Sequence, residues 1–402
     1  MRLTSLDTLF ICVPLGIKGK YLIPKKCPYL FNISIPILKS NILMKNLLLI
    51  ILTFHILYSC HVEQTSNETT TQIIHFKQIS NQNNIPNKND DTLKTICLLS
   101  PDNCYQPYIS KVIYNAYILL TLDEISTYSA NLYDPQGNFI KQVGNKGKGP
   151  GETLQISDID YCKDTIYLLD NLQKSILSYD KKGNYLYSIP FSFIAEDFAK
   201  MQNGNFLFVL SRFNDNKKYP SKILMTDAKG KILQSIIPSD SKWQNKESFF
   251  YQQIKNPIYK FNNNAYFYDH LNYMLYIISE TGEIKNKVQF DMDKYQIPEK
   301  SIYNYSIFEE YKKTNPVLYF EESPIPTNNF YIGLLSDSQN IFLTIFNDSC
   351  GYKTPITMEM AENKKAYIPV GSYKDSIVGF LDNSFQNLDS ITNNTLIIKK
   401  IQ

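Results

Sequence analysis

Carboxylate side chains near predicted strand ends are the groups in this 402-residue chain that could bind a metal ion. Calcium takes about six to eight oxygen ligands, and a fold can gather single carboxylates from distant parts of a chain to supply them. Each carboxylate taken alone is more often a turn or solvent-facing residue. No EF-hand-like loop is present, so we predict no cofactor and leave calcium as the open alternative. The candidate ligands are Asp158, Asp170, Asp269 and His270.

Few histidines are available for catalysis. The sequence has four histidines, and His270 is the one that falls within the predicted folded body. A Ser-His-Asp triad would have to use it, and no nucleophile-elbow sequence is present. A histidine at the end of a hairpin is the alternative interpretation. We therefore predict no catalytic residues.

A glycine-rich loop at residues 144–152 superficially suggests phosphate binding. Phosphate loops lie between a strand and a helix, so that backbone N–H groups and the helix dipole meet the anion. Here the next residues, Leu154 to Ile159, have the alternation of a strand, and no Lys-Ser/Thr pair ends the loop. We predict a structural crossing between two sheets, in which Glu152 bonds the loop's own amides. Its residues are Gly147, Gly149, Pro150, Gly151 and Glu152.

The elements that position these residues are indicated by a repeat. A β-rich run, a four-residue turn ending in glycine and a second β-rich run recur, and the turn glycines are 46, 47 and 52 residues apart. Aspartate at the first turn position can bond the turn backbone, and glycine takes the positive φ that closes the hairpin. The flanking runs alternate as half-buried strands do. The turn residues are Asp134, Gly137, Asp180, Gly183, Asp227, Gly230 and Gly282.

A period near 47 residues with four short strands predicts a β-propeller blade. Residues 93–402 contain about 6.6 such periods, which predicts an all-β fold of six four-stranded antiparallel blades. One short helical insertion is expected between Pro298 and Lys313. The last strand, at Thr395–Ile401, is placed to pair with a strand near Leu93–Leu99 and so close the ring without exposed edges.

The N-terminal region has the pattern of an export signal. A short charged segment precedes an apolar run from Leu47 to Leu57, which is too short for a confident membrane span. The ending Leu57-Tyr58-Ser59-Cys60 resembles a bacterial lipobox, although Tyr58 departs from the small residue usual there. We predict that residues 44–60 are a lipoprotein signal and that Cys60 is lipidated. A plain secretion signal and a membrane anchor are the alternatives.

Two segments flank this signal. Residues 1–43 precede it, and we interpret them as a non-native upstream extension with translation starting at Met44. Residues 61–92 are rich in Thr, Asn, Gln and Ser. Because such a composition buries too little apolar surface to offset ordering entropy, we predict a flexible polar tether.

Charge argues against nucleic-acid binding. Residues 1–59 hold seven of the 41 basic residues and one of the 38 acidic ones, so the rest of the chain has a net charge of −3. The apparent basicity therefore belongs to the leader. Cys97 and Cys104 flank a turn-rich stretch in which either a disulfide or two thiols would fit.

The loop Gly144-Asn145-Lys146-Gly147-Lys148-Gly149-Pro150-Gly151-Glu152 resembles the signature of the NHL-like six-bladed β-propeller lipoproteins of Gram-negative bacteria, where it links the first blade to the second. The stretch from Ser376 to Phe385 resembles that family's penultimate strand. Asn393 to Ile401 resembles its closing strand, with Asn393-Asn394 where the family usually has Asn-Pro. The resemblance covers about residue 93 to the end. It implies a fold and an exported location, and little about activity.

Two functional hypotheses follow. The first is a lipid-anchored, non-catalytic scaffold that binds a protein, peptide or carbohydrate through one propeller face or its central mouth. The alternative is a calcium-dependent lactonase or lyase that uses the mouth, an analogy at the level of the fold. We expect a monomer in the cell envelope of a Gram-negative bacterium, facing the periplasm or the surface. Convergent acidic and amide groups at the mouth around a divalent ion would favour the enzyme.

Overall fold

The computed structural model describes most of the region predicted to fold. The described residues are 69–75, 93–240, 255–302, 304–336, 341–346, 351–354, 357–360, 363–374, 376–382 and 395–400. The predicted signal, Cys60 and the upstream extension lie outside them. Cys97 and Cys104 lie within them, and both carry free thiols.

Strands dominate the described chain. The first eight are β1 Thr70–His75, β2 Leu93–Cys97, β3 Lys111–Tyr114, β4 Leu119–Asp123, β5 Ser129–Tyr133, β6 Phe139–Val143, β7 Asn145–Lys146 and β8 Glu152–Thr153. The next twelve are β9 Ile156–Cys162, β10 Thr165–Asp170, β11 Ser175–Asp180, β12 Tyr185–Pro190, β13 Ala195–Lys200, β14 Phe206–Leu210, β15 Ser221–Thr226, β16 Ile232–Pro238, β17 Ile258–Phe261, β18 Asn264–Asp269, β19 Met274–Ile278 and β20 Ile284–Asp291. The last nine are β21 Tyr319–Phe320, β22 Ile325–Pro326, β23 Tyr331–Ser336, β24 Ile341–Phe346, β25 Gly351–Thr354, β26 Thr357–Met360, β27 Asn363–Tyr373, β28 Ser376–Asp382 and β29 Thr395–Lys400.

The strands form an all-β propeller of antiparallel four-stranded blades. Within the described residues, strand pairing defines six sheets of four or five strands: β3–β6, β9–β12, β13–β16, β17–β20, β21–β25 and β26–β29. The fifth sheet is irregular, because its innermost strand is split into β21 and β22, each two residues long. A geometric count of blades gives five, one fewer than the sequence predicts, although strand pairing gives six sheets.

Both ends of the described chain add strands to these sheets. As predicted, β29 pairs with β2, and their register places Leu396 opposite Ile96. The sixth sheet is therefore built from the two ends of the propeller segment, which removes an exposed edge. β1 pairs in parallel with β20 at the edge of the fourth sheet.

The β1 strand corrects the prediction of a flexible tether at Thr70–His75, while residues 61–68 and 76–92 of the predicted tether lie outside the described residues. Ile74 of β1 is 1% exposed and packs with Val288 and Phe290 of β20. His75 Nδ1 lies 2.8 Å from Asp291 Oδ2 at the end of the same pair. A single buried isoleucine and the unpaired edge of β20 are enough to order this polar segment, since its backbone groups complete a sheet. The composition of residues 61–92 does not indicate that β20 offers an unpaired edge.

Apolar clusters lie between neighbouring sheets. Leu120 and Leu122 of the first sheet, for example, pack with Ile159 and Leu168 of the second. Strand alternation sends side chains to both faces of each sheet, and both faces are covered by a neighbour. The core is thus distributed around the ring, while the innermost strands line a central channel.

The predicted helical insertion is present as two helices, α1 Glu299–Ile302 and α2 Tyr305–Thr314. Asn304 between them is extended, and its side chain accepts a hydrogen bond from the N–H of Ile307, which caps α2. This cap explains why one helix does not run through. Ile302 and Phe308 are buried in the cluster that joins the third and fourth sheets.

Candidate functional site in the central channel

The predicted turn residues join the third and fourth strands of successive sheets. At the first turn, Asp134 Oδ1 accepts hydrogen bonds from the N–H groups of Gln136 and Asn138, both at 2.9 Å. Gly137 there has φ +94°, a conformation that glycine adopts without strain. Gly183, Gly230 and Gly282 in the remaining turns also have positive φ. Asp180 and Asp227, which precede the first two of these glycines, bond the turn backbone as Asp134 does.

The glycine loop crosses from β6 of the first sheet to β9 of the second. The N–H of Gly149 donates to Glu152 Oε2 at 2.8 Å, and the N–H of Gly147 donates to the carbonyl of Thr153 at 2.9 Å. A β-carbon on Gly147 would lie 1.9 Å from Glu152 Oε2, and one on Gly151 would meet the ring of Tyr185 at 2.6 Å. Two of the loop's amides are thus bound within the loop, and its glycines make room for close contacts. Pro150 lies at its tip.

The structure does not bring the four predicted metal ligands together. Asp170 ends β10, and its carboxylate accepts from the N–H groups of Leu154 at 2.6 Å and Gln173 at 2.9 Å, which holds a turn. Asp269 ends β18 and lies 2.6 Å from Lys222 Nζ, while His270 follows it in the next turn. Of the four, Asp158 lies on an innermost strand.

Buried ion pairs join the innermost strands across the channel. Lys111 Nζ of β3 lies 2.7 Å from Asp158 Oδ1 of β9 and 3.2 Å from Asp197 Oδ1 of β13. Burial by itself lowers the pKa of Lys111, but the two carboxylates outweigh that effect and raise it. Burial, followed by the neighbouring charge of Asp197, raises the pKa of Asp158. One ammonium therefore serves two carboxylates from different sheets.

Further along the channel, another lysine fills the space between sheets. Lys260 Nζ of β17 lies 2.7 Å from both carboxylate oxygens of Asp160. It also donates to the carbonyls of Tyr161 at 2.9 Å and Lys200 at 3.0 Å. With four oxygen acceptors around one ammonium, this part of the channel is a closed structural network.

At the other end, the segments that lead into three innermost strands converge. Asn256 Nδ2, ahead of β17, donates to the carbonyl of Ser110, ahead of β3, at 2.9 Å. The N–H of Ser323, ahead of β22, donates to the carbonyl of Lys255 at 3.3 Å. The Lys255 ammonium lies 4.6 Å from the ring centroid of Tyr108. These contacts join the segments ahead of β3, β17 and β22 at the channel end nearest Lys111.

Near these contacts lies a set of polar groups that we call the channel cluster: Glu124, Asn256, Tyr259 and Glu322. Tyr259 and Glu322 are each 8% exposed. Among the described residues, Glu322 Oε2 has no hydrogen-bond partner, and the Tyr259 hydroxyl has none of standard geometry, although the Asn256 side chain lies close enough to lower the pKa of Tyr259. A buried polar atom without a partner costs roughly 1–3 kcal/mol, so such groups call for a functional explanation.

Backbone pairing brings two segments of the channel cluster together, because Lys255, four residues before Tyr259, forms an isolated parallel bridge with Glu322. Burial raises the pKa of Glu322 to about 7, with Lys255 opposing the shift and Glu124 adding to it. Burial also raises the pKa of Tyr259, and the charges of Glu322 and Asp197 raise it further. Perturbed groups of this kind concentrate at functional sites, although structural networks also produce them.

Sequence reasoning missed Lys111, Tyr259 and Glu322. One signal could have found the first of them: Lys111 precedes Asp158 by 47 residues, which is one repeat period, and Lys222 precedes Asp269 by the same interval. A basic residue one period before an acidic one marks an ion pair between adjacent sheets. Glu322 has no such signal, because it lies in the irregular fifth sheet.

Two properties of the described residues bear on the class of site. No group of three or more His, Cys, Asp or Glu among them is arranged to hold a metal ion. No helix in the described part of the chain has the length and apolar character needed to cross a membrane.

The fold and its central channel define a β-propeller. The chain belongs to the family described as domain of unknown function DUF4934, whose profile matches residues 71–398. Because the match begins within β1, the family's domain includes that strand and starts before residue 93, where we predicted the propeller to begin.

Solved structures resemble the chain at the level of fold. A Bacteroides fragilis protein described as exported is 20% identical, with 82% of this chain and 99% of that chain covered and a TM-score of 0.64. A DUF4221 family member from Bacteroides vulgatus is 11% identical over 77% and 96% of the two chains, with a TM-score of 0.45. Virginiamycin B lyase from Staphylococcus aureus is 12% identical over 77% and 99%, with a TM-score of 0.40. A comparison with curated proteins gives no significant match.

Proposed function

We propose that this chain is an exported, lipid-anchored β-propeller that binds a ligand or partner at the Lys111 end of its central channel without transforming it. The observation that carries the proposal is the channel cluster, in which Tyr259 and Glu322 present buried polar atoms without a partner among the described residues. Their burial suits recognition, because a few polar groups shielded from water can fix a ligand's orientation.

We also propose that the ring is six-bladed and of the NHL-like type. Six sheets support this, as do contacts between successive innermost strands, which run from β3 through β9, β13, β17, β22 and β27 back to β3. On this view the split strand β21/β22 is the inner strand of an irregular blade. An experimental structure with five strands around the channel would overturn the proposal.

Lipid anchoring to the envelope of a Gram-negative bacterium is the second part of the proposal, and the exported B. fragilis protein supports the export component. The Cys60→Ala variant should lack the lipid and move from the membrane fraction to the soluble fraction of fractionated cells. Cys97→Ala serves as the matched control and should leave the distribution unchanged. Membrane retention of the Cys60→Ala protein would refute the lipobox interpretation.

The channel favours binding over the calcium-dependent lactonase or lyase alternative. Calcium needs about six to eight oxygen ligands, whereas Asp158 and Asp197 already share the Lys111 ammonium at 2.7 and 3.2 Å. Asp170 and Asp269 are engaged elsewhere, in a turn and in an ion pair.

Thermal unfolding across a panel of named probes tests the binding proposal. The panel comprises monosaccharides and disaccharides, N-acetylated dipeptide amides, carboxylates and primary amines. A probe at about 100 times its Kd adds about 2.7 kcal/mol to the folded state, so at least one class should raise the Tm of the wild type. The Tyr259→Phe/Glu322→Gln double variant should lose that response, and Glu309→Gln on α2 should keep it. Equal responses in the double variant, or none in the wild type, would refute binding at the channel cluster.

A further inference from the structure

The channel cluster combines a buried carboxylate and a buried phenol, those of Glu322 and Tyr259, with the half-buried Glu124. Glu322 Oε2 and the Tyr259 hydroxyl are among the buried atoms that have no partner within the described residues, and both residues are more than nine-tenths buried. Resting on the proposed function, we infer that the channel cluster binds a protonated primary amine, which donates to Glu322 Oε2 and the Tyr259 oxygen.

The charges around the cluster favour a cation. Glu322 faces Lys255, Glu124 and Glu321, and Glu124 in turn faces Asp197, Lys255 and Lys111. Lys111 is committed to Asp158 and Asp197, and the Lys255 ammonium donates to the Tyr108 hydroxyl at 3.3 Å. The carboxylates thus outnumber the ammonium groups, so an added positive charge would relieve repulsion between them.

The oxygen atoms of the channel cluster suit an ammonium ion better than a metal ion. A primary ammonium has three N–H donors and no acceptor, which suits a site that offers the unpartnered oxygens of Glu322 and Tyr259. The channel already uses this chemistry, since Lys111 joins two carboxylates and Lys260 binds both oxygens of Asp160. The described residues offer no group of three metal-ligating side chains.

Amine binding should depend on pH in a defined direction. Burial raises the pKa of Glu322 to about 7, so its carboxyl is mainly neutral at pH 6 and mainly ionised at pH 8. An aliphatic amine remains protonated at both values, as lysine does with a pKa of about 10.4. Because the ammonium pairs with the ionised carboxylate, affinity should be about tenfold lower at pH 6 than at pH 8.

The experiment is calorimetric titration of n-butylammonium chloride into the full-length protein at both pH values, with n-butanol as the uncharged probe. We expect butylammonium to bind at pH 8 and n-butanol not to bind. Glu322→Gln should weaken binding at least about tenfold at pH 8 and abolish its pH dependence. Tyr259→Phe should weaken it several-fold, and Glu309→Gln on α2 should bind as the wild type does. Glu322→Gln removes a buried charge, so it should fold at pH 8 at least as well as the wild type.

Several outcomes would overturn the inference. Wild-type affinity in Glu322→Gln would place the amine elsewhere, and binding of calcium chloride without butylammonium would make the cluster a metal site. If saccharides or acetylated dipeptides stabilise the wild type but butylammonium does not bind, the amine inference fails while the proposed binding function stands. If no probe class acts on the channel cluster, both fail.

Discussion

Replacing Leu396 with aspartate should abolish stable folding. Leu396 of β29 is fully buried and lies between Phe380 of β28 and Ile96 of β2, at the point where the two ends of the propeller segment meet. An aspartate there would have to be buried without a partner or expelled together with the closing strand. We expect a loss of about 4–5 kcal/mol or more, which is comparable with the whole stability of many domains, about 5–15 kcal/mol.

The control is the same substitution on an outer strand. Leu233 of β16 is 47% exposed, so Leu233→Asp should change the unfolding free energy by no more than about 0.5 kcal/mol. Urea unfolding monitored by circular dichroism, with size-exclusion chromatography to detect aggregation, measures both variants. A Leu396→Asp protein as stable as Leu233→Asp would show that β29 does not close the ring.

Replacing Lys111 with methionine should also be strongly destabilising. The variant leaves Asp158 and Asp197 buried near each other without their shared ammonium, and breaking a buried pair from one side costs about 3–5 kcal/mol. Because the pKa of Lys111 is raised in the folded state, its stabilising contribution is complete below the unfolded lysine pKa of about 10.4. That contribution is lost only in strongly alkaline solution.

Two companion variants separate the charge effect from simple packing. Adding Asp158→Asn to Lys111→Met should recover part of the lost stability, since it removes one uncompensated charge. Lys181→Met, which breaks an exposed pair with Asp164, should have little effect. Urea unfolding at pH 7 compares all three. If Asp158→Asn adds its own loss to that of Lys111→Met, the buried ion pairs do not stabilise the channel.

Local chemistry made much of the fold predictable. The Asp-x-x-Gly turns fix hairpins through bonds within five residues, as Asp134 and Gly137 show. The glycine loop was predictable for the same reason, because Glu152 bonds the Gly149 amide three residues away. The helical insertion was located from its proline and periodicity, although the Asn304 cap that divides it was not foreseen.

The channel was not predictable, because its contacts join residues from different sheets. Asp170 and Asp269 looked like ligands since they end strands, yet a strand end is also where a carboxylate can bond a turn or meet a neighbouring lysine. Tyr259 and Glu322 are 63 residues apart, and their segments are brought together by the bridge between Lys255 and Glu322. The order of β1 likewise depends on the unpaired edge of β20, which lies more than 200 residues away.

A crystal structure of the full-length protein grown with n-butylammonium at pH 8 tests the channel cluster as a binding site most directly. We predict an ammonium nitrogen within hydrogen-bond distance of Glu322 Oε2 and the Tyr259 hydroxyl, with Lys111 still bound to Asp158 and Asp197. A channel end in which Tyr259 and Glu322 bond only to other side chains of this protein would contradict the account, and so would an ammonium bound elsewhere.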